Sequence, residues 1–248
     1  MLRSIQELTH YSIRATDGEM GSVHDFYFDD RTWKIRYLVV DTGNWLPGRK
    51  ALIPVSALGE ANWKTHLFSV KLSLKQIEDS PSIETDLPVS RQREASIHDY
   101  FGWAPYWGVD RTLMGAGTIP VLSQTTPIDS GEDEESRGDP DLRGCREVRG
   151  YHIKAKDGEV GHIEDFLLDE EDWTIRYLEV DTRNWLPGRR VLLAPDWVEG
   201  IYWNEQLARV ALSQKQVKES PEYNPDMIID RYYENELYQH YGFPGYWV

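Results

Sequence analysis

A chain that copies itself over a hundred residues without a gap must build one unit twice, and that constrains its fold more than any local motif. Adding 140 to a residue number converts the first half of this sequence into the second. Leu2-Arg3 becomes Leu142-Arg143, Asp17-Gly18-Glu19 becomes Asp157-Gly158-Glu159, and Ile35-Arg36-Tyr37-Leu38 becomes Ile175-Arg176-Tyr177-Leu178. The phrase D-T-G-N-W-L-P-G-R-K, starting at Asp41, returns as D-T-R-N-W-L-P-G-R-R, starting at Asp181. The register holds from residue 2 to residue 107, and about 40% of about 106 paired positions are identical, far above chance. Such a period is domain-sized, so it describes a tandem domain and not a solenoid. Residues 1–107 form the first unit and residues 142–248 the second. Residues 108–141 are polar, acidic and rich in Pro, Gly and Ser, the composition of a flexible tether.

Within a unit the apolar residues alternate over short runs, as strands require. Lys34 to Asp41 is the clearest, with β-branched and aromatic residues in I-R-Y-L-V-V. Gly21 to Phe28, Lys50 to Val55 and Leu67 to Leu72 read as further strands, and Asp17-Gly18 as a tight hairpin turn. Leu46-Pro47-Gly48-Arg49 suits a type II turn, with Pro fixing the second position and Gly supplying the positive φ of the third. Ser73 and Gln76 have capping-box spacing for a short helix, repeated at Ser213 and Gln216. A second helix is predicted from Ser90 to Phe101. The expected fold is mainly β: two small antiparallel barrels, each followed by short helices.

Composition narrows the function classes. Hydrophobic residues make up 40% of the chain and there are ten tryptophans, so each half can build a core. The net charge of −15 disfavours direct nucleic-acid binding through phosphates. No apolar run is long enough for a transmembrane helix, and no secretory signal is apparent. A single cysteine suits a cytoplasmic location and no disulfide framework.

G-S-V-H-D-F-Y-F-D-D followed by I-R-Y-L-V-V-D-T and A-L-I-P-V-S-A-L resembles the PRC-barrel family. So does the second copy, G-H-I-E-D-F-L-L-D-E followed by I-R-Y-L-E-V-D-T and V-L-L-A-P. The resemblance covers about residues 8–80 and 148–220. That family includes the cytoplasmic domain of the photosynthetic reaction centre H subunit and the C-terminal domain of a ribosome maturation factor. The resemblance implies a β-barrel used mainly for contacts with other proteins. No match carries over the proton-uptake groups of the H subunit, and the membrane helix of that subunit has no counterpart in the sequence.

Several residue sets are candidates for chemistry. Asp25 and Asp41, with Asp165 and Asp181, are expected to be structural carboxylates that pair with Arg36 or Arg49 or cap a turn. Asp29 and Asp169 complete that carboxylate set. Asn44, Trp45 and Arg49, with Asn184, Trp185 and Arg189, combine an indole, a guanidinium and an amide. They suit a partner-binding surface or a small anion site. The histidines do not recur at equivalent positions, so no metal site common to both units is expected. Cys145 aligns with Ile5 and reads as a small apolar strand residue. The aromatic ends, Y-F-G-W-A-P-Y-W from Tyr100 and H-Y-G-F-P-G-Y-W-V from His240, are expected to fold back over a barrel.

The sequence therefore predicts a non-enzymatic interaction or assembly module without a cofactor. Its two barrels pair within the chain, and its partners are proteins, in a regulatory role or in a membrane-complex role like that of the H subunit. A small anionic-ligand-binding protein and a ribosome or RNA-processing accessory factor are the alternatives.

Overall fold

The computed structural model describes residues 1–81, 91–103, 142–182 and 189–247. The tether proposed for 108–141, together with Asn184, Trp185, Tyr106 and Trp107, lies outside the described residues.

The first half runs β1 (Leu2–Ser4), α1 (Ile5–Leu8), β2 (Ser12–Ala15), β3 (Gly18–Asp29), β4 (Lys34–Asp41), β5 (Lys50–Pro54), β6 (Leu58–Asn62), β7 (Leu67–Val70), α2 (Leu74–Glu78) and α3 (Arg91–Phe101). The second half repeats this order. It runs β8 (Leu142–Gly144), α4 (Cys145–Val148), β9 (His152–Ala155), β10 (Gly158–Asp169), β11 (Thr174–Asp181), β12 (Arg190–Leu193), β13 (Val198–Tyr202), β14 (Leu207–Val210), α5 (Gln214–Glu219) and α6 (Arg231–Tyr241).

The strand from Lys34 to Asp41 and the two capping boxes appear as the sequence predicts. The type II turn also forms: the Arg49 N–H donates to the Leu46 carbonyl at 3.0 Å, and Gly48 has φ +76°. The hairpin after β2 differs from expectation. Ala15 pairs with Gly18, so Thr16 and Asp17 make the turn and neither has positive φ. Asp17 instead accepts the Leu74 N–H at 2.8 Å and fixes the start of α2. The glycine that the fold needs is Gly21, at φ +141°, where a Cβ would stand 2.0 Å from the Asp41 carbonyl oxygen. Gly161 repeats this against Asp181.

The expectation of two small antiparallel barrels is met only as a mainly β fold, without a closed barrel. The fourteen strands among the described residues join in one open sheet, with β6 and β13 at the ends of its path. The sheet is mixed, because β2 pairs with β7 in parallel and β9 pairs with β14 in parallel.

Three features fuse the halves. β1 leaves its own half and pairs with β10, while β8 pairs with β3. β4 meets β11 at Lys34 and Thr174. There the Ile35 N–H donates to the Trp173 carbonyl and the Ile175 N–H to the Trp33 carbonyl, both at 2.8 Å. Trp33 and Trp173 hold φ of +56° and +58°, rare for bulky residues. This backbone conformation accompanies the turn of each carbonyl toward the opposite half. The exchange is reciprocal, as an approximate twofold relation requires.

The core follows the same plan. Phe28 stacks on Trp33 and lies 5.8 Å from Phe166 of the other half. β4 is buried on both faces: Ile35, Leu38 and Val40 join the main core, while Tyr37 and Val39 join a smaller cluster with Leu52, Ile97 and Leu142. Thus α3 supplies a cover through Ile97, which explains a nearly continuous apolar strand. In the second half α6 covers Trp197, which is 1% exposed and makes ring contacts with Tyr238 and Tyr241.

Candidate functional site

The expected carboxylates lie where the halves exchange strands. Asp25 Oδ1 accepts the N–H of Phe26 at 2.7 Å and the N–H of Arg146 at 3.0 Å. Asp165 Oδ1 accepts the N–H of Phe166 at 2.8 Å and the N–H of Gln6 at 3.1 Å. Each aspartate therefore holds the short helix that the other half contributes. Asp25 was expected to pair with Arg36 or Arg49 or to cap a turn; its backbone partner Arg146 lies in a helix across the junction. Arg36 pairs instead with Asp29, at 2.8 Å. Around the caps, Arg3 pairs with Glu170 at 2.7 Å and Arg143 with Asp30 at 2.9 Å, again across the halves.

The two caps are not equal. Ser4 Oγ donates to Asp165 Oδ2, whereas the matching position beside Asp25 is Gly144. A Cβ there would stand 2.8 Å from Asp25 Oδ2. Burial pushes the Asp25 carboxyl up to about 7, against the backbone hydrogen bonds that favour the charged form. Burial pushes Asp165 up to about 6, and the Ser4 hydroxyl is the largest opposing influence. These groups take up protons near neutrality, yet they are only 7% and 5% exposed. Cys145 opens α4 and is not on a strand. Its thiol is pushed well up by burial and then by the Asp25 charge, as in an inert buried cysteine.

Arg49 does not face an open anion site. Its guanidinium donates to the carbonyls of Glu78, Ile77 and Ser80, closing the C-terminal end of α2. Arg189 donates likewise to the Ser220 carbonyl. Asn44 is exposed, and Trp45 is partly buried against the main core. Asp41 accepts the Gly43 N–H at 2.8 Å. The repeated phrase thus ties a strand turn to a helix end.

Its second-half counterpart Asp181 is 1% exposed. Its carboxylate, that of Glu164 and the His162 imidazole bring their donor atoms within 4.8 Å of one another. Sequence comparison of the halves misses this set, because Ser22 and His24 replace His162 and Glu164 in the first half. The signal in the sequence was local: His162 and Glu164 are two apart on a strand, with Asp181 on the next.

The aromatic end of the second half folds back as expected. Tyr246 and Trp247 pack partly buried against the core. The hydroxyls of Tyr246 and Tyr177 both donate to Glu234, at 2.9 and 2.8 Å. Burial, then Glu234, pushes the Tyr246 hydroxyl up to about 12. Arg231 lies over the Trp247 ring at 4.1 Å and pairs with Glu234 at 3.0 Å. Arg176, Arg231, Glu234, Tyr246 and Trp247 line a cavity of about 470 Å³. In the first half Tyr37, the counterpart of Tyr177, meets His98 at 2.8 Å, and His98 stands where the second half has Tyr238.

This geometry has a counterpart among known families. Residues 2–71 match the PRC-barrel domain family. The match runs from β1 to just beyond β7, so it includes the exchanged first strand and the Asp25 cap. No curated protein matches the chain. No helix among the described residues is long and apolar enough to cross a membrane.

Proposed function

We propose that the chain is a non-enzymatic protein-interaction and assembly module made of two interlocked PRC-barrel-type units. The observation that carries this reading is the PRC-barrel match over residues 2–71, since such domains often serve as interaction modules. The use of the side chains supports it. Asp25 and Asp165 cap exchanged helices, and Arg49 and Arg189 bind helix-end carbonyls. Such groups stiffen a platform.

The test is to cross-link the purified full chain to its source-cell proteins and identify the cross-linked residues by mass spectrometry. The reading predicts one recurring partner with cross-links that cluster on one face, competed away by excess unlabelled chain. Scattered, uncompeted cross-links together with a turnover abolished by Asp25→Asn in a folded variant would overturn it.

A further inference from the structure

We propose that the second half carries a divalent-cation site formed by His162, Glu164 and Asp181, and that the first half lacks it. The backbone supplies the arrangement. His162 on β10 lies directly opposite Asp181 on β11. Past Ile163 the register shifts, so Glu164 is the extra residue of a β-bulge. A bulge re-aims side chains, and here two consecutive residues, Glu164 and Asp165, oppose the single residue Glu179.

The donor set has the size of a coordination sphere. The imidazole nitrogen and the two carboxylate oxygens all lie within 4.8 Å of one another. His162 Nε2 and Glu164 Oε2 are 3.5 Å apart. Ligands about 2.1 Å from a tetrahedral ion sit about 3.4 Å from each other, so small side-chain rotations close the set. Asp181 is buried, whereas the His162 and Glu164 side chains are 25% and 30% exposed. One side therefore stays open for water ligands.

Local charge supplies an independent reason. The buried Glu179 stands on β11 two residues before Asp181 and pairs with Arg190. Glu164, Glu179 and Asp181 thus gather three carboxylates on two adjacent strands, with the buried Asp165 beside them. A divalent ion suits such a gathering of carboxylates beside an imidazole.

The first half shows the reverse pattern. Val39 stands for Glu179 and His24 for Glu164. Lys50 Nζ lies 3.0 Å from His24 Nε2, and the Arg146 guanidinium lies 2.8 Å from the same nitrogen. Cations occupy the place where the second half gathers carboxylates. One imidazole with two carboxylates suits a first-row divalent ion such as Zn²⁺ better than Mg²⁺, which favours oxygen ligands and keeps its waters. Bound there, the ion would tie β10 to β11.

The experiment is calorimetric titration of the chelator-treated full chain with ZnCl₂, and separately with MgCl₂. One equivalent of Zn²⁺ is expected per chain, with Mg²⁺ weaker. His162→Ala and Glu164→Gln, both at partly exposed positions, should each weaken Zn²⁺ binding at least about tenfold. Asp181→Asn should do the same where circular dichroism shows it folded. His24→Ala and His152→Ala should leave binding unchanged. No saturable binding, or saturable binding that survives both His162→Ala and Glu164→Gln, would overturn the proposal.

Discussion

The carboxylate of Asp25 lies 3.0 Å from the backbone nitrogen of Arg146, a residue 121 positions further along the chain. Asp165 makes the mirror contact with Gln6, over 159 positions. In two independent domains each aspartate would meet the helix of its own half. Here each half completes the sheet of the other and caps the helix it receives.

The stability should therefore depend on pH through these caps. Burial pushes Asp25 up to about 7 from 3.8, so between those values the folded chain holds a proton that the unfolded chain has released. Its contribution to stability falls as pH rises through that window. Asp165 acts the same way up to about 6. Asp29 acts oppositely: burial raises its carboxyl, but Arg36 and backbone donors outweigh that and hold it below the ordinary value. Its contribution is lost only in more acid solution. Asp25→Asn keeps the acceptor oxygen and removes the charge. Its advantage over the wild type should therefore be larger at pH 8 than at pH 5, by about 3 kcal/mol, at about 1.4 kcal/mol per pKa unit. Urea denaturation at both values measures this. Equal losses at both would contradict it.

The asymmetry between the caps gives a spectroscopic prediction. Carboxyl carbon resonances followed by NMR should show Asp25 titrating above Asp165. Ser4→Ala removes the hydroxyl from Asp165 and should move that titration upward. An unchanged Asp165 would mean that the hydroxyl does not favour the charged form.

Much of one unit was legible from residue order. The Lys34–Asp41 strand, the Ser73 and Ser213 caps and the Pro47-Gly48 turn each rest on local physics, namely side-chain alternation, capping geometry and a positive φ. The exchange of β1 and β8 was not legible. Leu2-Arg3 and Leu142-Arg143 are the same dipeptide, so nothing local says which half each will join. The parallel pairing of β2 with β7 was missed for a similar reason, since alternation is blind to strand direction. Asp25 and Asp165 were expected to pair with an arginine or cap a turn, and the helices they meet depend on the exchange. Trp45 and Arg49 suggested a surface, because sequence shows the residue types and not the carbonyls that Arg49 engages.

Arg49→Ala should destabilise the chain by about 1–3 kcal/mol, the cost of leaving helix-end carbonyls without a charged donor. Arg49→Lys should recover only part of that, because one ammonium cannot span the Ile77, Glu78 and Ser80 carbonyls as the planar fork does. Thermal melting of both variants measures the difference. Full recovery by lysine would show that charge alone matters.

Gly21→Ala and Gly161→Ala should each cost more than about 3 kcal/mol, combining backbone strain with a clash. The added carbon would stand 2.0 Å from the Asp41 oxygen and 2.1 Å from that of Asp181. Gly43→Ala meets open space at φ +55°, so only the backbone term of about 1 kcal/mol applies. Comparable denaturation midpoints for Gly21→Ala and Gly43→Ala would contradict the close approach of β3 to the end of β4.

The most direct test of the interlocked body is to place a protease site within residues 108–141, cut the folded chain there and measure the mass of the product in solution. Exchanged first strands and the β4–β11 contact predict one particle of unchanged mass, which separates only when both halves unfold. Two folded halves eluting apart under native conditions would contradict the account.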